Sequence, residues 1–324
     1  MKIGVVGGMP SLLGGGGLEI QMAKTITALR ALGHEVVDQD QSAAVDVLHI
    51  FGAEPSTWSY LRNWSRNRVP LVLSPVIVLD RPHVLLHPVI ERLRLLASNT
   101  ASMRVEVVQR ADALVALNDA EARLLEKTLR CPPSSITVIG NGTDAASDVR
   151  AVEDRVVAVG TVGRRKRQRE LASVWRPEWP DLVLVGPTDL SGRDQDEFER
   201  VVETRSNVTW VGRLPQQAVW DLQAGSLATV SASSAEGESL AFLDSLALGR
   251  PVVALRKSGL ESLQAKLGAD SAMVVESLEA LGMRVDDLRA QAPPLATKRP
   301  PTWRQVAEHL SEVYGEVIGR HRRP

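Results

Sequence analysis

The sequence predicts an α/β protein built from two doubly wound, parallel-sheet domains, and three observations carry that reading. Short apolar runs rich in β-branched residues alternate with longer amphipathic stretches, the pattern of parallel strands buried between helices. The pattern breaks at a polar, aperiodic stretch, DAASDVRAVEDR (Asp144–Arg155), and then starts again. The length, 324 residues, suits two domains of roughly 150 residues each.

The elements follow in order. KIGVVGG (Lys2–Gly8) reads as a buried strand. In LEIQMAKTITALRALGHEV, Ile20, Met22, Ala23, Ile26 and Leu29 recur at helical spacing, and Gly33 stops the helix. VVD and DVLHIFG (Asp46–Gly52) are strands, a polar helix-like stretch spans Trp58–Arg66, and VPLVLSPVIV is another strand. ADALVALN (strand), DAEARLLEKTLR (helix) and SITVIGNGTD (strand and turn) complete the first half. After the polar break, VVAVGTVG, DLVLVGP, VTWVG, LATVSAS and PVVAL are strands with helical stretches between them. A Pro-rich connector, RAQAPPLATKRPP, leads to a last helix. Its apolar residues Val306, Leu310, Val313, Tyr314 and Val317 form one stripe that needs a surface to pack on. The expected domains are residues 1–147 and 154–300, with 301–324 as a helix strapped back onto the first.

Composition narrows the function. A formal net charge of −1 offers no global attraction to nucleic acid or anionic lipid. The single cysteine, Cys131, rules out an internal disulfide framework, argues against a cysteine zinc site and fits a reducing compartment. With no charged leader before an apolar run, and no run of about 18 apolar residues, the expectation is a cytoplasmic protein without a membrane span.

Two segments carry candidate chemistry. In SSAEGESLAFLDSLALGRPVVA (Ser233–Ala254), Leu240, Leu243, Leu246 and Ala247 mark one face of a short helix ended by Gly249, with Pro251 beyond. SSAEGE is the loop entering that helix. A helix N-terminus presents unpaired N–H groups and partial positive charge, which suits a diphosphate. The plain alternative is that Glu236 and Glu238 are first-turn acids that stabilise the helix. In VGTVGRRKRQREL, dense in Arg and Lys, the alternative is a solvated basic turn. A third segment, the glycine run GGMPSLLGGGGLE, is not a dinucleotide fingerprint.

Taken in order, GGGGLE, GHEV, ADALVALNDAEARLL, ITVIGNGTD, VAVGTVGRRKRQREL and the GRPVVA tail resemble the retaining GT-B glycosyltransferases, in particular the large bacterial family 4. The resemblance spans nearly the whole chain. It implies a GT-B fold, with two Rossmann-like domains facing a cleft and the C-terminal helix crossing back to the N-terminal domain. It implies a donor, a nucleoside-diphosphate sugar of UDP or GDP type, held mainly by the second domain. The acceptor is an unidentified hydroxyl on a glycan, lipid-linked molecule, small molecule or modified nucleic acid. No cofactor or metal is implied.

The family pattern of Glu, seven residues, Glu falls here on Glu236 and Asp244, one methylene shorter. The first acid then faces the donor sugar and the second accepts from the ribose hydroxyls. Gly237, Glu238, Ser239 and Leu240 lie on the donor side. Arg165 and Lys166 match the cationic pair that holds the diphosphate, with Arg164 as a competing register. Gly16 and Gly17 let backbone approach the reacting centre.

On the acceptor side, Ser74 and Pro75 stand where family members carry a His motif, His83 and His87 come later, and His49 could face the cleft. Rival readings are a nucleotide-sugar epimerase of the same fold and a non-catalytic nucleotide-sugar binding protein. A dehydrogenase lacks its fingerprint, and a metal-dependent GT-A enzyme lacks an Asp-x-Asp at a strand end.

Overall fold

The computed structural model describes residues 1–7, 16–38, 44–53, 57–58, 61, 69–77, 100–146, 150–290 and 299–322. The chain divides into two compact units, Met1–Gly142 with Pro301–Pro324, and Thr143–Pro300. Both are parallel six-stranded sheets flanked by helices.

The first unit runs β1 (Lys2–Gly7), α1 (Gly17–Ala31), β2 (Glu35–Asp38), β3 (Val47–Phe51), β4 (Leu71–Ser74), α2 (Thr100–Gln109), β5 (Ala113–Ala116), α3 (Asp119–Lys127) and β6 (Ile136–Val138). The sheet order is β2-β1-β3-β4-β5-β6. Every residue of β3, β4 and β5 is buried, which is why these strands read as unbroken apolar runs. Leu48, Ile50, Leu73, Leu114 and Leu125 form the core. Asn118 caps α3, its Oδ1 accepting from the Ala120 and Glu121 N–H groups at 3.0 Å each.

The second unit runs β7 (Arg155–Val159), α4 (Gln168–Val174), β8 (Asp181–Val185), α5 (Arg193–Glu203), β9 (Val208–Trp210), α6 (Gln216–Ala224), β10 (Ala228–Ser231), α7 (Leu240–Ala247), β11 (Val252–Leu255), α8 (Leu260–Leu267), β12 (Ala272–Val275) and α9 (Leu278–Ala290). Its order is β12-β11-β10-β7-β8-β9. Trp175, Leu171, Phe198 and Leu182 fill the core, and the buried Trp175 indole donates to the Pro180 carbonyl at 2.7 Å. α7 ends as its sequence indicates, with Gly249 at φ 81° and Arg250 N–H bonding the Ser245 carbonyl at 2.8 Å.

The last helix, α10 (Trp303–His321), opens on a capping box between Thr302 and Gln305. It packs on α1 and β4 of the first unit, burying Val306, Leu310, Val313, Tyr314 and Val317. A Cβ on Gly142 would lie 2.5 Å from the Trp303 backbone nitrogen, so only glycine fits there.

Two points differ from the sequence-based expectation, and a third expectation is untested. Helix α2 and edge strand β12 were not foreseen. The break between units falls at Gly142/Thr143, ahead of the polar stretch, because the Thr143 side chain is bonded into the second unit. The helix-like stretch Trp58–Arg66 lies mostly outside the described residues. Among the described residues no helix is long and apolar enough to cross a membrane.

Candidate functional site

In the second sheet the order of strand addition reverses between β7 and β10, which are parallel neighbours in space but far apart in sequence. Open parallel sheets bind ligands at the carboxyl ends of the strands flanking such a switch point. The loops that leave β7 and β10 there are the two segments singled out by the sequence.

The β7 loop is held from beneath. Gly160 adopts φ 142°, a conformation that L side chains avoid. A Cβ there would meet Lys166 Cε at 3.2 Å, so the bare glycine lets the lysine stem cross over it. Buried Gln168 organises the turn: its Nε2 donates to the Gly160 and Thr161 carbonyls at 3.3 and 3.1 Å. Its Oε1 accepts from Gly163 N–H at 3.2 Å. The β10 loop is stitched to this one. Ser234 N–H donates to the Arg165 carbonyl at 3.0 Å, and Arg165 Nη1 donates to the Ala235 carbonyl at 2.9 Å.

Glu236 is the centre of the cluster. Its Oε1 pairs with Lys166 Nζ at 2.6 Å and Arg165 Nη1 at 2.8 Å, and accepts from the buried Ser233 hydroxyl at 2.9 Å. The Glu236 side chain is 11% exposed, Lys166 18% and Arg165 54%. Burial pushes the carboxyl up, but Lys166 and Arg165 outweigh it and hold it below its ordinary value. Glu236 is therefore a carboxylate at neutral pH. The turn after β11 closes the floor: Gly259 has φ 80°, and a Cβ there would meet the Gly237 carbonyl at 2.7 Å.

Helix α7 starts beside this cluster. Its cap residue, Ser239, makes no side-chain capping bond, and its first turn carries no acid. Glu236 and Glu238 are thus not helix caps; both sit half-buried in the loop ahead of it, with Gly237 between them. Leu240, the first helical residue, packs on the Phe242, Leu243 and Leu246 cluster. Asp244, further along α7, accepts from Thr143, Trp220 and Gln216. Its Oδ1 accepts from the Thr143 hydroxyl at 2.5 Å. Its Oδ2 accepts from Trp220 Nε1 at 2.9 Å and Gln216 Nε2 at 3.1 Å.

Other expected site residues lie elsewhere. Arg164 does not join the cluster. It is 84% exposed and paired with Asp194 at 2.5 Å, which leaves the Arg165–Lys166 register as the one at the switch point. Gly16 precedes α1 and Gly17 begins it; Gly8 to Gly15, His83 and His87 lie outside the described residues. His49 and Ser74, expected on the acceptor side, are buried inside the first unit. They are 0% and 2% exposed, because β3 is covered on both faces. His49 stacks on Phe51 with ring centroids 4.1 Å apart. Its Nδ1 lies 2.6 Å from the Tyr314 hydroxyl and its Nε2 2.9 Å from the Ser74 hydroxyl. Burial lowers its pKa to about 3, so the ring is neutral and donates to one hydroxyl while accepting from the other.

At the carboxyl end of the first sheet, buried Glu121 accepts from Ile77 and Leu117 N–H at 2.7 and 2.8 Å. Burial pushes it up to about 7 against the pull of those two bonds. Ile77 follows Val76, which is held at φ 49°, a costly conformation for a β-branched residue.

Sequence reasoning did not find Gln168, Ser233, Thr143, Gln216 or Trp220. Gln168, Ser233 and Thr143 lie inside the quoted segments, as hydroxyl and amide side chains beside more conspicuous ones. The contacts of Trp220 and Thr143 with Asp244 span 24 and 101 positions, and no local pattern announces them.

Comparisons with known proteins agree with this layout. The family described as "Glycosyl transferases group 1" matches residues 153–290, and "Glycosyltransferase Family 4" matches residues 40–147. Solved structures share the fold at low identity. The sucrose-phosphate synthase (tll1590) of Thermosynechococcus elongatus is 17% identical, with a TM-score of 0.76 over 98% of this chain and 99% of its own. Anabaena Alr3699/HepE, solved with UDP and glucose, is 14% identical, with a TM-score of 0.70 over 98% and 100%. AviGT4, a glycosyltransferase involved in avilamycin A biosynthesis, is 16% identical, with a TM-score of 0.68 over 98% of each chain. No curated protein sequence matches the chain.

Proposed function

The chain belongs to the family 4 (group 1) glycosyltransferases of GT-B fold, and on that premise we propose that it is a retaining, metal-independent enzyme. It moves a sugar from a UDP- or GDP-type donor to a hydroxyl acceptor in the cytoplasm. The observation that carries this reading is the Glu236–Arg165–Lys166 cluster at the switch point of the second sheet. Support for a nucleotide-sugar donor comes from the similar fold of HepE, solved with UDP-glucose.

Each residue has a role in this reading. Arg165 offers a planar fork and Lys166 a point charge to the leaving diphosphate. With the N-terminus of α7, they supply the positive charge that a divalent ion would otherwise bring. Glu236, kept ionised, holds both cations in place and faces the positive character that develops on the sugar ring. The bond from the anomeric carbon to the diphosphate oxygen breaks. The bond to the acceptor oxygen forms on the same face, and the acceptor proton passes to the leaving diphosphate. The burial of His49 and Ser74 fits a reaction in which neither acts as the base. Asp244 accepts from the ribose hydroxyls.

The test is turnover. The purified chain is incubated with UDP- and GDP-sugars, and released nucleoside diphosphate and the anomeric configuration of the transferred or hydrolysed sugar are followed. Release that persists in EDTA, with retained configuration, is expected. Binding without release would make the chain a nucleotide-sugar binding protein, and activity abolished by EDTA and restored by magnesium would refute the charge assignment.

A further inference from the structure

Asp244 is held more tightly than a residue merely waiting for a ligand needs to be. Being one methylene shorter than glutamate, its carboxylate stays close to its own helix, and donors from two other segments reach in to fix it. The Thr143 hydroxyl donates at 2.5 Å. Thr143 is 3% exposed, and its oxygen accepts from Ala145 N–H at 3.0 Å, so its proton is committed to Asp244. The Trp220 indole donates at 2.9 Å; an indole N–H can only donate, so it cannot rotate into another role. The third donor is different. Gln216 lies in the first turn of α6, is exposed, and reaches Asp244 at 3.1 Å through a flexible amide.

We propose that Thr143 and Trp220 are positioning residues that aim the Asp244 carboxylate at the ribose of the donor nucleotide. Gln216, the exposed donor, holds the place that a ribose hydroxyl takes on binding. The proposal rests on the reading of Asp244 as the ribose acceptor. The ligand chemistry recognised is a cis-diol. A carboxylate fixed by two immobile donors, one on each oxygen, has little freedom to turn. An amide on a free side chain can leave the carboxylate at small cost, whereas a buried hydroxyl and a rigid indole cannot. Such a site discriminates by the hydroxyl itself: a ribose hydroxyl gains a bond to a fixed carboxylate, whereas an analogue lacking it leaves Gln216 in place and gains nothing.

The experiment compares ribo- and deoxyribonucleotides on the full chain. Calorimetry first measures UDP and GDP, then the 2′-deoxy and 3′-deoxy counterparts of whichever binds. The wild type is expected to prefer the ribonucleotide by roughly 10- to 100-fold, the range for a hydrogen bond to a charged group. Thr143→Val keeps the shape and removes the hydroxyl. It is expected to shrink that preference to about 3-fold or less, through weaker binding of the ribonucleotide alone. Thr143→Ser restores the preference, Trp220→Phe behaves like Thr143→Val, and Gln216→Ala leaves the preference intact. A general loss of structure lowers both nucleotides alike, so the ratio separates positioning from folding. If Thr143→Val does not fold, Trp220→Phe carries the test.

An unchanged ratio in folded Thr143→Val or Trp220→Phe overturns the proposal while leaving the ribose reading intact. A wild type that binds nucleotide without preferring ribose overturns both. A wild type that binds neither UDP nor GDP overturns the donor reading as well.

Discussion

Replacing Glu236 with Gln keeps the side chain's shape and one acceptor oxygen but removes its charge, and the geometry sets what should follow. The carboxylate serves two cations and one hydroxyl through a single oxygen, at 2.6, 2.8 and 2.9 Å. Arg165 is 54% exposed, so solvent screens most of its loss. Lys166, at 18%, cannot resolvate so easily, and its charge-assisted bond is worth about 1.5–3 kcal/mol. The second unit should lose about 2–3 kcal/mol, a melting shift of roughly 4–12 °C for a unit of this size. The pH dependence has a defined sign. The folded carboxyl titrates below its unfolded value, so its contribution is complete above the ordinary carboxylate range and is lost as pH falls through the depressed value. The wild type should therefore exceed Glu236→Gln by a constant margin from pH 8 to 5, with the two converging only in acid.

Kinetically, a group that meets charge developing at the sugar acts on kcat, and its removal should lower kcat at least 10- to 100-fold. Differential scanning fluorimetry across pH and steady-state kinetics with a competent donor provide both readouts. A variant with wild-type melting and wild-type kcat would refute the reasoning, because neither the ion cluster nor the reaction would then depend on the carboxylate.

Asp244→Asn should raise donor KM by about 10- to 100-fold with kcat little changed; a fall in kcat with KM unchanged would overturn its placement at the ribose. His49→Phe leaves the buried Ser74 and Tyr314 hydroxyls without their ring partner and should cost about 2–4 kcal/mol of stability, with turnover per folded molecule unchanged; a specific rise in acceptor KM would put His49 back at the acceptor. Because the folded pKa of His49 lies near 3, below the unfolded 6.5, its contribution is complete above pH 6.5 and drains as pH falls toward 3. Glu121 acts in the opposite sense. Its folded value of about 7 exceeds the unfolded 4.5, so about 3 kcal/mol present below pH 4.5 is lost as pH rises through 7. Glu121→Gln should flatten the stability profile over that window, and an unchanged slope in urea titrations would count against it.

The parts of the fold that could be read from the sequence were those whose physics is local. Strands β3, β4 and β5 are buried along their whole length, so composition alone marks them. Glycines such as Gly33 and Gly249 end helices because their backbones adopt positive φ. Edge strand β12 escaped notice because its pattern is weaker; two of its four residues are only half-buried. Of the candidate site, the charged members stood out because charge in an apolar loop is conspicuous. Their supports, such as Gln168, are ordinary polar residues whose role depends on which backbone groups they meet. The burial of His49 was hidden for a related reason. A histidine in a strand looks chemical in one dimension, and only the third dimension supplies Tyr314 from a helix 265 positions away.

That distant partner bears on synthesis. The second unit is one unbroken stretch of chain, whereas the first is completed by its final segment. On the ribosome, the N-terminal sheet emerges first but lacks the surface that covers it, and His49 has no phenol to meet until α10 is made. The middle of the protein can finish folding while its beginning waits. Domains of a growing chain usually mature in order of appearance, and here that order is expected to invert. A nascent chain arrested before residue 303 should show a protease-resistant second unit and a protease-sensitive first one, and release of the last helix should protect both.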